Sequence, residues 1–146
     1  MTARLAWMAL GAALLAGCRQ ESAGVAEDSG HDIYMTRCAV CHGENGEGRP
    51  PYYPAVAGSQ WVDGPPDRLA AIILDGLKGR VGNYDAVMPG WGAVMQDTEI
   101  AAVMTWIRKG DGKRPVTAVD VNHVRVETAA RNTFWTAEDL RNMPMK

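Results

Sequence analysis

The sequence is poor in cysteine and has no excess of basic charge, and both shortages narrow the possible functions. Three cysteines in 146 residues are too few for a disulfide scaffold, so their positions matter more than their number. Fifteen Lys and Arg against 17 Asp and Glu provide no basic field that would hold a nucleic-acid backbone, and no nucleic-acid partner is expected. The hydrophobic share of 47% and the charged share of 22% are ordinary for a soluble globular protein, unlike a disordered or collagen-like chain.

The chain also lacks a long apolar run. The uncharged stretch from Leu5 to Gly17 follows the single positive charge of Arg4. Its 13 residues are too few to span a bilayer comfortably, but the arrangement is typical of a secretory signal. The run ends in Leu-Ala-Gly before Cys18, which resembles the bacterial lipobox, whose cysteine is acylated and becomes the first mature residue. The alternative is an ordinary cleaved leader followed by an incidental cysteine.

We therefore expect a signal peptide over residues 1–17 and a lipid anchor on Cys18. Acyl chains contribute about 0.8 kcal/mol per buried CH₂, so two or three of them anchor a small domain durably. Residues 18–29 are small and polar and are predicted to be a lipidated, flexible tether. These features predict a protein of the periplasm, lipid-anchored to a bacterial membrane.

Cys38, Cys41 and His42 form the strongest signal in the chain. Their C-x-x-C-H spacing is typical of c-type haem attachment, in which each thiol adds across one haem vinyl group and the histidine becomes the proximal iron ligand. A zinc site would need four N or S ligands, and only one other cysteine and two other histidines remain. A thioredoxin-like thiol pair would need a βαβ context, which the sequence lacks. One covalently bound haem c is expected.

The residues around this motif resemble class I cytochromes c over residues 30–110. Before the motif, Gly30, Tyr34 and Cys38 recur at four-residue spacing, as on one face of a helix. After it come a glycine-rich loop and a segment, residues 53–58, that is similar to the Pro-x-Leu-Ala-Gly segment of the family. The resemblance implies an all-α, class I cytochrome c fold with helices wrapped around one covalently attached haem.

The same resemblance implies the iron ligands and one supporting residue. In the family, the proline that corresponds to Pro54 accepts the Nδ1–H of the proximal histidine, here His42, on its carbonyl; such a bond fixes the tautomer and raises the basicity of the ligand. Among eight methionines, Met88 lies in a Met-Pro-Gly-Trp-Gly stretch that is similar to the methionine loop of the family. Met95 directly precedes a predicted helix and is expected to pack there. Met88 is therefore the expected sixth ligand.

Apolar periodicity predicts two amphipathic helices, at residues 67–77 and 99–109, and leaves the N-cap of the second open. Trp106 on the second helix resembles the aromatic residue of the family that packs on the first helix near Gly30 and Tyr34. Met104 is expected in the core. Four further side chains are either hydrogen-bond donors to haem propionates or surface and packing residues: Trp61, Arg80, Tyr84 and Trp91.

Residues 111–146 form an extension beyond a minimal domain of this family. Valines alternate around Asn122 and His123, which hints at a hairpin, but the glycine that favours a two-residue turn is missing. We expect a helix there and a short last turn capped by Thr136, with the extension packed across the domain or against a partner. His123, like His31 at the start of the first helix, is expected to be exposed or capping rather than an iron ligand.

These features predict a membrane-tethered electron carrier and no enzyme activity of its own. A haem with both axial positions filled, by His42 and Met88, has no free site for a substrate, so its iron cycles between ferrous and ferric states. The expected partners are redox proteins: a respiratory complex or oxidase, and an exported dehydrogenase or reductase. Two alternatives stay open. One is a dedicated electron-accepting haem subunit of a single oxidoreductase complex; the other is a haem-based ligand sensor or peroxidase-like enzyme with an open distal site.

Overall fold

A computed structural model describes residues 21–109 and 113–144, and Cys18 and the predicted signal peptide lie outside them. The described part contains seven helices and two strands. In chain order they are α1 (Glu21–Arg37), α2 (Ala39–His42), α3 (Gln60–Asp63), α4 (Pro66–Asp75), β1 (Leu77–Val81), β2 (Tyr84–Met88), α5 (Asp97–Ile107), α6 (Ala118–Thr128) and α7 (Ala137–Asn142). Over those two ranges, no helix combines the length and the apolar character that crossing a membrane requires.

Helices α1 and α5 cross at Gly30. A Cβ atom on this residue would lie 2.3 Å from the carbonyl oxygen of Ala102 and 3.0 Å from the Cβ of Trp106, so only glycine lets the two backbones come this close. One turn along α1, the ring centroids of Tyr34 and Trp106 are 4.5 Å apart. The predicted packing of Trp106 on the first helix is confirmed.

The apolar core lies between α4, α5 and the C-terminal extension. Helix α4 begins at Pro66 and buries an unbroken run from Leu69 to Leu74, because α3, α5 and α6 all pack against it. Met104 is fully buried, as predicted, and Met95 is 4% exposed directly before α5. The N-cap of α5 is Gln96, whose backbone N–H donates to the Glu99 carboxylate at 2.8 Å.

The predicted end of the helix at residues 67–77 is wrong. The pattern placed it at Leu77, before the glycine at position 79, but α4 ends at Asp75. Gly76 leaves the helix with φ of +84°, a conformation that favours glycine, and Leu77 then begins a strand.

The all-α class is also wrong in one respect, since β1 and β2 form an antiparallel hairpin within an otherwise helical fold. Val81 is paired with Tyr84 and Leu77 with Met88. The two-residue turn between the strands is Gly82-Asn83, and glycine followed by asparagine between two short strands is a hairpin signal that the helical expectation overlooked.

Helix α1 begins earlier than expected, at Glu21, so the prediction of a flexible tether is wrong from that residue onward. The segment contains no proline and several good helix formers. Extending a helix that is already nucleated by its packed part adds one hydrogen bond per residue, without a further nucleation step.

The C-terminal extension folds back on the domain through α6 and α7. Helix α6 packs against α4 and α5, and its N-cap is Thr117, whose side chain accepts from the N–H of Asp120. Thr136 caps α7 in the same way, with Asp139 as its partner. The predicted helix and the Thr136 cap are confirmed. Of the two alternatives left open for the extension, the structure shows α6 packed across the domain. His123, like His31, is about half exposed.

Candidate haem site

The two cysteines of the haem motif lie on one helical turn that continues from α1. The N–H of Cys38 donates to the carbonyl of Tyr34 at 2.8 Å, and the carbonyl of Cys38 accepts the N–H groups of Cys41 and His42 at 3.1 and 2.9 Å. Both thiols are free and half-buried. They are therefore available for two thioether bonds on one side of this turn.

The environment of Cys38 does not support the two alternatives to haem. Burial raises the pKa of its thiol to about 11. The charge of Arg37 partly opposes this rise, and Cys41 adds to it. A redox-active thiol pair requires a lowered pKa instead. In the part of the chain that the structure describes, no three His, Cys, Asp or Glu side chains are grouped to hold a metal ion, so the zinc alternative finds no ligand set there.

His42 is held in the tautomer that an iron ligand needs. Its Nδ1 lies 2.9 Å from the carbonyl oxygen of Pro54. A carbonyl oxygen can only accept, so Nδ1 carries the proton and donates it, and Nε2 keeps a free lone pair. The same bond orients the ring and makes Nε2 more basic. The contact expected between these two residues is present.

The glycine-rich loop after His42 brings Pro54 into place. The N–H of Gly48 donates to the carbonyl of His42 at 2.7 Å. A Cβ atom on Gly48 would lie 2.6–2.7 Å from backbone atoms of Tyr53, Pro54 and Ala55, and its φ is +77°. Glycine therefore permits both the turn and the close approach of the segment that carries the histidine's partner.

Tyr34 ties α1 to the end of the haem motif. Its hydroxyl donates to the carbonyl of Gly43 at 2.8 Å in a buried bond. Burial raises the pKa of Tyr34 to about 12, and the nearby Cys38 and Glu47 add to the rise. The hydroxyl therefore stays protonated, and remains a donor, at any physiological pH.

Met88 ends β2 on the half-buried face of the hairpin. Along this strand Tyr84, Ala86 and Met88 are half-buried, whereas the residues between them point to solvent. Met88 packs at the margin of the same apolar core as Cys38.

The segments that carry Cys38 and Met88 also meet directly. The guanidinium of Arg37, next to Cys38, lies 5.8 Å from the ring centroid of Trp91, three residues after Met88. The fold thus brings the attachment motif into contact with the segment that follows Met88, although 46 positions separate Met88 from His42.

An unpaired buried donor and a set of half-buried apolar side chains among the described residues fit a haem. Nε1 of Trp61 is buried and has no hydrogen-bond partner among the described residues. A buried donor without an acceptor is costly, and a haem propionate is an acceptor of the kind it lacks. Of the other candidate donors, Arg80 is exposed, and Tyr84 and Trp91 are half-buried. Half-buried apolar side chains of the kind that suit a porphyrin edge pack at the margin of the same core as Cys38: Val56, Leu77, Val81, Met88 and Trp91.

Sequence reasoning missed the residues that support the methionine side. Arg125 and Trp135 both lie in the extension. Arg125 contacts the segment that follows Met88, and Trp135 contacts Leu77, the partner of Met88 on the neighbouring strand. No motif marks either residue, and their partners lie 28 to 60 positions away. Only the Gly82-Asn83 turn, which predicts the hairpin, was available as a signal.

Comparison with known proteins agrees with this geometry. The family model described as cytochrome c oxidase, cbb3-type, subunit III matches residues 25–107. A cytochrome c-552 from Thermus thermophilus is 33% identical over 118 residues, which cover 70% of this chain and 78% of that protein. A second Thermus thermophilus cytochrome c-552 is 34% identical over 113 residues, 67% of this chain and 85% of the relative.

Cytochrome subunits of larger enzymes are also similar to the chain. The cytochrome c subunit of a quinone-dependent alcohol dehydrogenase from Gluconobacter oxydans is 28% identical over 113 residues, 73% of this chain but only 24% of that subunit. Because the family model covers more than half of the chain and the two cytochrome c-552 relatives align along most of their length, this protein belongs to the class I c-type cytochromes, which bind haem c covalently and transfer electrons without being catalysts themselves.

Proposed function

We propose that this protein is a membrane-tethered, periplasmic mono-haem electron carrier. In this proposal Cys38 and Cys41 hold the haem by thioether bonds, and His42 and Met88 are the axial ligands of its iron. The observation that carries the proposal is the bond from His42 Nδ1–H to the Pro54 carbonyl at 2.9 Å, beside two free thiols on the same helical turn.

When bound, haem c supplies a one-electron ferrous/ferric couple, and methionine ligation raises its potential. The chain's own residues orient and enclose the group. Pro54 fixes the His42 ring, and Tyr34 fixes the end of the attachment motif. Two filled axial positions would leave no site for a substrate, which supports a carrier over a sensor or a peroxidase.

Ferrous carbon monoxide binding separates the carrier from the sensor. Firm methionine ligation resists CO at neutral pH, so we expect slow, incomplete binding to the reduced protein. Met88→Ala should bind CO rapidly, whereas Met95→Ala, which changes a buried methionine directly before α5, should behave like the parent. Rapid CO binding to the parent itself would favour the sensor or peroxidase alternative.

The lipid anchor and the periplasmic location are supported by the sequence alone. The apolar run of 13 residues, the Leu-Ala-Gly before Cys18 and the polar stretch after it are typical of an exported lipoprotein. Cys18→Ala should release the haem protein from membranes without changing its visible spectrum. Gln20→Ala, two positions away, should stay membrane-bound. Equal membrane retention of both variants would contradict the anchor.

The partners that we propose are other redox proteins. A dedicated electron-accepting subunit of one oxidoreductase is a second candidate, favoured by similarity to cytochrome subunits of an alcohol dehydrogenase and of a gluconate 2-dehydrogenase from Pantoea cypripedii. Val119 and Val126, seven positions apart on α6, are 78% and 67% exposed, and exposed apolar side chains of this kind are available for a docking contact. Stable co-purification with one enzyme, lost in Val119→Glu, would favour the subunit; a freely exchanging monomer would favour the carrier.

A further inference from the structure

The residues that follow Met88 lie against the last turn of α4. We call residues 88–92 the methionine loop. Within it, the N–H of Trp91 donates to the carbonyl of Ile73 at 2.7 Å, and the N–H of Gly92 donates to that of Leu74 at 3.0 Å. A Cβ atom on Gly90 would lie 2.6 Å from the Leu74 carbonyl oxygen. The position of the methionine loop therefore depends on the end of α4 and on the side chains that keep the loop and the helix in contact.

The extension pairs with the strand opposite Met88. The N–H of Trp135 donates to the carbonyl of Gly76 at 3.0 Å, and the N–H of Lys78 donates to the carbonyl of Trp135 at 2.8 Å. Trp135 thus forms a parallel bridge with Leu77, and Leu77 is the register partner of Met88 on β2.

Side-chain contacts fix Trp135 in that place. Its Nε1–H donates to the Asp75 carboxylate at 3.0 Å, at the end of α4. The guanidinium of Arg131 stacks over the indole ring at 3.7 Å. Trp135 is only 9% exposed, so the extension is firmly seated against β1 at this point.

A second residue of the extension, Arg125, holds the chain just after Met88. Its Nη1 donates to the carbonyl of Gly92 at 2.6 Å, its Nη2 to that of Met95 at 3.0 Å, and its Nε to the Asp97 carboxylate at 2.7 Å. The Arg125 side chain is 32% exposed and that of Asp97 20%. Hydrogen bonds from a charged, partly buried donor are stronger than neutral ones.

The ion pair keeps the Arg125 guanidinium oriented at neutral pH. Burial alone would raise the pKa of Asp97, but hydrogen bonds from Arg125 and Asn122, together with the charge of Arg125, lower it below its ordinary value. Asp97 therefore stays ionised, and two guanidinium nitrogens remain directed at the carbonyls of the segment that follows Met88.

We propose that Arg125 is a positioning residue for Met88, and that Arg125 and Trp135 together make the C-terminal extension a brace for the methionine loop. The inference rests on the proposed role of Met88 as the sixth ligand. With Met88 as a ligand, its sulfur would leave the iron only when the loop opens, and the population of such a locally opened state is set by the contacts that opening breaks. Arg125 holds the loop's C-terminal end, and Trp135 holds the strand paired with its N-terminal end.

The test compares two arginines of the extension. Arg125→Ala removes the contacts to Gly92 and Met95. Arg114→Ala is the matched control, because Arg114 donates to the Asp120 carboxylate at 2.9 Å through both Nη atoms and to the adjacent Pro115 carbonyl, all within the extension. Arg125→Lys keeps the charge beside Asp97 but lacks the guanidinium that serves three acceptors at once.

We expect CO to bind ferrous Arg125→Ala at least about tenfold faster than the parent, which is the low end of the change that the loss of one charge-assisted hydrogen bond produces in an opening equilibrium. The far-red charge-transfer band of the ferric protein is a signature of methionine ligation. When the pH is raised, this band should disappear at a lower pH in Arg125→Ala than in the parent. Arg125→Lys should lie between the two, and Arg114→Ala should match the parent in both readouts even if its melting temperature falls. Equal CO rates in Arg125→Ala and Arg114→Ala would overturn the brace.

Met88→Ala in the same series separates the two proposals. If it loses the far-red band, the ligand assignment stands and the two arginine variants test the brace alone. If the band persists in Met88→Ala, the assignment and the brace both fail. If Arg125→Ala does not fold, Arg125→Lys decides: faster CO binding than the parent supports the brace, and an unchanged rate overturns it.

Discussion

The two sides of the candidate haem site are held by contacts of very different range. On the histidine side, the hydrogen bond of Tyr34 to Gly43 joins residues nine positions apart, and that of His42 to Pro54 joins residues twelve apart. Most of this side lies within one continuous segment of α1, α2 and the loop that follows. Such contacts close short loops, and their entropic cost is small.

On the methionine side, the supporting contacts come from distant parts of the chain. The bonds of Arg125 to Gly92 and Met95 span 33 and 30 positions, and that of Trp135 to Asp75 spans 60. These contacts exist only when the extension is docked. The histidine side should therefore keep its geometry under conditions in which the methionine side has already loosened, since local openings follow the least supported segments.

The largest effect is expected when the protein can no longer attach the haem, because both sides of the site then lose the group that they enclose. Replacing both Cys38 and Cys41 with Ala should abolish covalent haem, because no thioether bond can then form. Acid–acetone extraction and intact mass measure the attached group directly. Cys18→Ala removes a cysteine outside the motif and should leave the haem mass unchanged; a haem-sized mass retained by the double variant would contradict the assignment.

A smaller effect, confined to the histidine side, is expected from Gly48→Ala. The new Cβ would meet the backbone around Pro54 at 2.6–2.7 Å, so we expect the His42–Pro54 bond to lengthen and overpacking to destabilise the protein by about 1–3 kcal/mol. A weaker bond makes the imidazole less basic and stabilises ferric iron less, so the reduction potential should rise.

Gly58→Ala is the matched control for that change. Gly58 also has positive φ, +67°, but a Cβ there meets nothing within 4 Å. It should show the backbone strain of about 1–2 kcal/mol with an unchanged potential. Denaturant unfolding and redox titration measure the two quantities, and equal potentials in both variants would contradict the role of Gly48.

The smallest effect concerns the extension and its pH dependence. Hydrogen bonds from Arg114 hold the pKa of Asp120 far below its ordinary value, despite partial burial, and bonds from Thr117 act in the same direction. A carboxyl with a lowered folded-state pKa contributes stability above the unfolded pKa of about 3.9 and loses it as the pH falls toward the folded value.

Asp120→Asn should therefore lower the unfolding free energy by roughly 0.5–1 kcal/mol at pH 7, the range for a largely exposed pair and a cap, with the difference shrinking below about pH 4. Urea titrations at several pH values measure it. The change Asp85→Asn, at an exposed position of β2, is the control. A difference that persists unchanged at low pH would show that the charge of Asp120 is not its source.

The same contrast in range explains what the sequence predicted. The His42–Pro54 contact and the Thr136 cap join residues at most twelve positions apart, and both are present. The Trp106 packing spans 72 positions, and it was predicted only because the family resemblance supplied its partner helix. The hairpin was missed because the apolar pattern favours Gly79, rather than Gly76, as the residue that ends the preceding helix. The partners of Arg125 could not be predicted, since pairing across 28 or more positions depends on how the whole domain packs.

The ferric far-red absorption spectra of Met88→Ala and Met95→Ala test most directly whether the methionine loop supplies the sixth ligand. Met95→Ala should keep the charge-transfer band while losing about 2–5 kcal/mol of stability, because Met95 is only 4% exposed and its removal leaves a cavity. Met88→Ala should lose the band and show a lower potential, since nitrogen or water ligands favour ferric iron more than thioether sulfur does. Loss of the band in Met95→Ala, with Met88→Ala spectrally unchanged, would contradict the assignment.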